Sequence, residues 1–183
     1  MSVADEIFAI YARRGSGAYF GEPVTMLDHG LQAAHFARID GAAPALVAAA
    51  LLHDIGHLIE DVPDDLADWI SDARHEESGA RWLGAHFGVP VSEPVRLHVP
   101  AKRYLCAVDR GYFGELSAAS VVTLKLQGGP MSPAEIAAFE REPFHAEAVR
   151  VRRWDDRGKV AGLETRGLAD YRGLIEMLAR APA

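Results

Sequence analysis

Residues 45–57, ALVAAALLHDIGH, are apolar on nearly every side until His53, where a histidine and an aspartate end the run. A helix with no polar face must be covered all round, so this segment predicts the central element of a helical core, with Pro44 well placed at its start. Asp54 poses a conflict there, because burying an unpaired carboxylate is very costly. Metal ligation resolves it. His53 and Asp54 project about 100° apart on a helix, so a neighbouring helix has to complete any coordination shell.

The rest of the chain supplies candidates in the order H…HD…H…H…D: His29, His53-Asp54, His75, His98 and Asp155. Imidazole and carboxylate together suit iron, manganese or zinc. An aspartate has two oxygens and can bridge two cations, so these residues suffice for a dinuclear site. His35, His86 and His145 fit no ligand series and are read as structural or exposed.

Helical spacing dominates, and no convincing period-two strand interrupts it, so the fold class is an all-α bundle. Ile7, Ile10 and Tyr11 form the stripe of a first helix, interrupted by the glycine-rich stretch 15–23. Thr25 caps a second helix running through Leu27, Leu31 and Ala34. Residues 57–71 suggest a loop or short turns, followed by a helix from near Asp72 that carries His75. Pro90, Pro94 and Pro100 predict short pieces around His98. Ser132, Pro133 and Glu135 mark another helix start, HAEAVRVRRWDDRGK presents Asp155, and Leu168, Tyr171, Leu174, Ile175 and Leu178 stripe a closing helix.

The 183 residues carry no linker or composition break, which predicts a single domain over 1–183. A formal net charge of −7 with mixed signs speaks against nucleic acid or an anionic membrane as partner. The amphipathic, acid-bearing N-terminus reads as neither signal peptide nor membrane span, and the default localisation is cytoplasmic. Cys106, the one cysteine, excludes an intramolecular disulfide and reads as a small buried apolar residue.

His29…His53-Asp54…Asp155 resembles the HD-domain superfamily, an all-α metal-binding fold, and His75 with His98 matches its dinuclear members. More narrowly, AYFGEPVTMLDHGLQAA, LLHDIGHL, RHEESGARWL, HVPAKRYLC, LSAASVVTLKLQGGPMSPAE and RVRRWDD are similar to the mixed-valent di-iron oxygenases that break carbon–phosphorus bonds in 1-hydroxy-2-aminoethylphosphonate and related organophosphonates. That resemblance implies an Fe(II)/Fe(III) pair with dioxygen as co-substrate. It assigns His29, His53, Asp54 and Asp155 to one iron, and the bridging Asp54, His75 and His98 to the other.

It also implies a substrate site. Lys102 lies four residues after His98, and Arg152 three before Asp155, so each shares a helical face with a ligand and could bind a phosphonate oxygen. Ser120, Thr123 and Gln127 have helical spacing and could add neutral hydrogen bonds, and His57 matches the family's phosphonate-binding histidine. In the glycine-flanked loop, Glu22 would pair with a substrate amine and Tyr19 would guard an open iron position. The implied reaction converts a 1-hydroxy-2-(amino or trimethylammonio)ethylphosphonate into phosphate plus glycine or glycine betaine, after a phosphonate hydroxylase acting earlier in the same pathway. The rival readings are a di-metal phosphohydrolase acting on a nucleotide or other phosphate ester and, third, a noncatalytic sensor.

Overall fold

The computed structural model describes residues 1–59 and 75–180. Among them there are helices and no strand; a single antiparallel bridge joins Ala18 to Thr25. In chain order the helices are α1 (Val3–Arg14), α2 (Met26–Ile39), α3 (Pro44–Leu52), α4 (Gly56–Ile59), α5 (His75–His86), α6 (Val89–Val108), α7 (Tyr112–Glu115), α8 (Ala118–Leu126), α9 (Pro133–Phe139), α10 (His145–Arg157) and α11 (Arg172–Leu178), the last preceded by a 3-10 turn over Leu168–Tyr171. No helix among the described residues is long and apolar enough to cross a membrane.

Local chemistry sets the helix starts. Ser2 with Asp5, Thr25 with Asp28 and Ser132 with Glu135 each form a reciprocal capping box, so backbone donors at those N-termini are satisfied. Pro44 occupies the first turn of α3, whose residues Leu46 to Leu52 are all at most 5% exposed. That helix is the hub: α2, α6, α10 and α11 pack on it. It ends at Leu52, so His53 and Asp54 leave the helix in a turn and are freed from the 100° divergence of an intact helix. The Tyr11 hydroxyl donates to the Leu51 carbonyl at 3.0 Å and ties α1 to this end of α3.

The three prolines of the next stretch do not break it. Pro90 sits in the first turn, and α6 runs unbroken from Val89 to Val108 through Pro94 and Pro100. Each interior proline removes a helical hydrogen bond at a cost of about 3 kcal/mol. Packing outweighs that loss: α6 lies against α3, α5 and α10, and it buries Val91, Val95, Leu97, Val99 and Leu105, each contributing about 1.5–3 kcal/mol. The continuous helix keeps His98 and Lys102 one turn apart on one buried face. Cys106, expected to be buried, is only half-buried, near the C-terminal end of α6.

The expected closing helix forms, with its first turn wound as 3-10, and α10 covers the segment expected to present Asp155. The short helix α4 occupies the start of the stretch expected to turn after His57; its continuation, and the helix start expected near Asp72, lie outside the described residues.

Gly56 fixes how closely α4 approaches α5. A Cβ on Gly56 would stand 2.0 Å from the His75 carbonyl oxygen and 2.8 Å from its carbon, both backbone atoms with no freedom to rotate away. Gly56→Ala therefore forces α5 outward. Thermal denaturation is expected to show a loss of about 1–3 kcal/mol, as for other overpacked interiors, and His75 should lose metal affinity before His29 does.

Candidate metal centre and substrate cavity

Five elements converge on one buried point. His29 comes from α2, His53 and Asp54 from the turn after α3, His75 from the start of α5, His98 from the middle of α6 and Asp155 from α10; none is more than 8% exposed. The Nδ1 atoms of His29, His53 and His98 lie 2.9, 2.9 and 2.6 Å from the carbonyls of Gly158, Ala50 and Val95. Nδ1 then carries the proton and Nε2 presents a bare lone pair.

Those lone pairs face one another. His29 Nε2 and His53 Nε2 are 3.0 Å apart, and His75 Nε2 and His98 Nε2 are 3.3 Å apart. Two unprotonated nitrogens at such distances repel unless a cation lies between them. The carboxylates complete two sets of donors. Asp54 Oδ2 is 3.5 Å from His29 Nε2 and 3.3 Å from His53 Nε2, whereas Asp54 Oδ1 is 3.4 Å from His75 Nε2 and 3.5 Å from His98 Nε2. Asp155 Oδ1 joins the first set at 3.4 Å from His29 Nε2. Donors spaced in this way leave a point about 2 Å from each, the length of a metal–nitrogen or metal–oxygen bond. Asp54 Oδ2 and Asp155 Oδ1 are buried and accept no hydrogen bond among the described residues. The residues fit two metal ions bridged by Asp54.

Protonation reflects the same need for a cation. Burial depresses His29 to about 4, with the neighbouring His53 adding to the effect. Burial also opposes charge on His53, but the Asp54 carboxylate beside it overrides this and lifts it to about 9. A proton on His53 thus does part of a metal's work.

A cavity opens beside the centre, walled by Tyr19, Phe20, His57, Val99, Lys102, Ser120, Thr123, Leu126, Gln127 and Arg152 together with the ligands Asp54, His75, His98 and Asp155. Lys102 is buried and donates to Thr123 Oγ1 at 2.8 Å; burial and the nearby Arg152 cation push it down to about 7. Arg152 is held from both sides. Its Nη1 meets Asp155 Oδ2 at 2.6 Å, its Nη2 pairs with Asp156 and its Nε donates to the Tyr112 hydroxyl at 3.0 Å. Tyr112 in turn donates to Asp156 at 2.5 Å. The Tyr19 ring stacks on His29 with centroids 3.8 Å apart, and burial beside the Asp54 carboxylate drives its phenol well above the usual range. His57 stacks on His75 at 3.8 Å, and Phe20 meets the His57 ring edge-on at 5.1 Å.

Of the residues that the sequence suggested for substrate contact, only Glu22 stays outside this wall. It is half-buried, and its backbone N–H donates to the Tyr19 carbonyl at 2.7 Å, while Phe20 of the same loop lines the cavity instead. Sequence reasoning missed Phe20, Val99 and Leu126, for which a lone apolar residue gives no signal. It also missed the brace of Tyr112, Asp156 and Lys159, whose Nζ reaches Ser120 Oγ at 3.0 Å. Asp156 was within reach, because the WDD triplet puts a carboxylate one helical turn after Arg152.

Metal binding should be visible without any substrate. Divalent cation added to metal-free protein is expected to raise the melting temperature, since a ligand that binds only the folded state adds RT ln(1 + [L]/Kd) to stability, about 2.7 kcal/mol at 100 times Kd. Asp54→Asn should reduce the bound metal below two ions per chain by elemental analysis. Unchanged content would remove the bridging role.

No family model matches the chain. Curated relatives do. It is 49% identical over 160 residues to the hydroxymethylphosphonate dioxygenase of Gimesia maris, an alignment spanning 87% of this chain and 80% of that one. It is 43% identical over 179 residues to the glycine-betaine-forming [1-hydroxy-2-(trimethylamino)ethyl]phosphonate dioxygenase of Leisingera caerulea, spanning 98% of this chain and 90% of that one. At this identity and coverage, the chain belongs to the phosphonate dioxygenase family.

Proposed function

We propose that the protein is a non-haem di-iron dioxygenase that cleaves the carbon–phosphorus bond of a 1-hydroxyphosphonate and releases phosphate and a carboxylate. The observation that carries this reading is one bridging carboxylate, Asp54, set between two histidine pairs on the floor of a cavity whose far wall holds Lys102 and Arg152. Nitrogen and carboxylate donors accept several metals, and iron in mixed valence is the choice that suits dioxygen chemistry. When bound, the two ions would supply Lewis acidity and a route for electrons from the substrate to dioxygen.

The protein's own groups bind and orient the substrate. In the cavity wall, Asp54 and Asp155 offset Lys102 and Arg152, so the charge of two metal ions would favour an anionic ligand, and a phosphonate dianion would offset part of it. Asp156 and Tyr112 immobilise the Arg152 guanidinium, which then meets two phosphonate oxygens without losing side-chain freedom on binding. Lys102, Ser120, Thr123 and Gln127 offer further polar contacts; the Gln127 Oε1 is buried with no hydrogen bond among the described residues. Phe20, Val99 and Leu126 exclude water, which strengthens each of these contacts. His57 sits where it can reach the ligand, and Tyr19 covers His29.

For hydroxymethylphosphonate the balanced outcome is addition of one dioxygen to give formate, phosphate and a proton. Its small neutral carbon suits a wall without a spare carboxylate. The amino and trimethylammonio homologues, which would give glycine and glycine betaine, require Glu22 to reach the cavity from the loop that carries Phe20. This small-molecule chemistry would run in the cytoplasm downstream of a phosphonate hydroxylase.

The test is coupled measurement of dioxygen uptake and phosphate release with iron-loaded protein. Hydroxymethylphosphonate, 1-hydroxy-2-aminoethylphosphonate and its trimethylammonio analogue would be offered separately, each with an anaerobic control. Equal consumption of oxygen and formation of phosphate is the expected result. Phosphate release that persists without oxygen would convict the proposal and indicate a hydrolase. Glu22→Ala should leave turnover of hydroxymethylphosphonate unchanged and raise KM for the two cationic substrates; loss of affinity for all three would remove the amine-binding role.

A further inference from the structure

Asp155 and His29 face each other across the first donor set, and the loop that follows α10 ties them together from behind. Gly158 caps α10, its N–H donating to the Asp155 carbonyl at 3.0 Å, and its own carbonyl lies 2.9 Å from His29 Nδ1. The next residue, Lys159, brings Nζ to 3.0 Å from Ser120 Oγ in the cavity wall and 3.7 Å from Asp155 Oδ1. Gln32 holds the residue after that. Its Nε2 donates to the Val160 carbonyl at 2.8 Å, and its Oε1 accepts the Val160 N–H at 2.9 Å.

Gln32 lies on α2, three residues after His29, and is 2% exposed. Burying an amide is costly unless its groups are paired, and Val160 pairs the donor and the acceptor together. Two bonds also fix a direction, whereas one would leave the loop free to swing about it. The carbonyl that backs His29 belongs to the peptide joining Gly158 to Lys159. Because that peptide is planar, its direction is set by the rotations on either side, one anchored by the end of α10 and the other by Val160.

We propose that Gln32 is a positioning residue for the first metal: by clamping Val160 it aims the Gly158 carbonyl at His29 Nδ1, which keeps the proton there and the Nε2 lone pair toward the centre. Acceptors behind metal-ligating imidazoles fix tautomer and ring orientation in this way. Helix periodicity explains the placement. Residues three apart share a face, so His29 and Gln32 meet the same loop, one at Gly158 and the other at Val160.

The inference rests on the two-metal reading and is independent of substrate and of dioxygen. Metal-free full-length protein would be titrated anaerobically with Co2+, followed by calorimetry and by visible absorption, which reports coordination. Wild-type protein should take two ions, and His75→Ala, which removes a donor of the second set, marks the signal that belongs to the first. Gln32→Met keeps the bulk and removes both bonds. It should weaken the first ion about 10–100-fold, the usual effect of losing an outer-shell partner, and leave the second unchanged. In Zn2+-loaded protein labelled with 15N-histidine, the His29 Nδ1–H should exchange with solvent faster in this variant.

Ile175→Ala separates positioning from stability. It empties space in the core at α11, which supplies none of the donors, and should lower the melting temperature without disfavouring either ion over the other. Both ions weakened alike by Gln32→Met, or a selective loss of the first ion that Ile175→Ala reproduces, would mean a structural role and overturn the proposal. Unchanged binding of both ions, or unchanged exchange of the His29 proton, would overturn it too. Wild-type protein that takes fewer than two ions would overturn the two-metal reading itself, a failure visible before any variant is made.

Discussion

Everything in the centre follows from bare imidazole nitrogens pressed together out of reach of water. His29 and His53 are locked by main-chain carbonyls into tautomers that aim their Nε2 lone pairs at each other across 3.0 Å. Nothing in a core of leucines and alanines relieves that repulsion, and the elements carrying the two residues, α2 and α3, pack closely enough to prevent retreat. Gly30 of α2 permits the approach, since a Cβ there would meet the Leu51 carbonyl at 2.7 Å. The centre therefore calls for positive charge, whether a proton on His53 or metal ions. Folding and metal binding share one free energy in such a case, because the donors come from helices that only the folded chain brings together.

The same core that creates the need for cations also confines the anions. Asp155 serves both sides: one oxygen faces His29, and the other holds Arg152 at 2.6 Å. The candidate metal centre and the Arg152 guanidinium are therefore linked through a single carboxylate. Tyr112 and Asp156 complete the clamp from behind. Such a brace keeps the guanidinium where an anionic ligand meets it and lowers the entropy lost on binding.

Much of this was legible in the sequence, for identifiable reasons. The caps at Thr25 and Ser132 and the helical pairs His98–Lys102 and Arg152–Asp155 are short-range patterns, and short-range patterns survive folding unchanged. The misreadings concern properties that only packing decides. Pro94 and Pro100 look like breaks when hydrogen bonds are counted alone, yet α6 is continuous because three neighbouring helices bury it. Glu22 looks like part of the cavity wall, and Phe20 takes that place.

The loop over the cavity shows how the fold holds a strained segment in place. Phe20 has φ +44, a left-handed conformation that costs a non-glycine residue about 1–2 kcal/mol, and Gly21 follows at +76. Backbone bonds from Tyr19 N–H to the Val24 carbonyl at 3.0 Å and from Met26 N–H to the Gly17 carbonyl at 2.9 Å close the loop on itself. Those bonds alone would hold many conformations of the tip. What selects this one is aromatic contact with the centre: Tyr19 flat against His29, Phe20 edge-on to His57. Each such pair contributes about 0.5–1.5 kcal/mol beyond its burial, enough in sum to offset the strain. This part of the cavity wall is therefore built on the His29 and His57 rings, and a change in their orientation is felt directly by Tyr19 and Phe20.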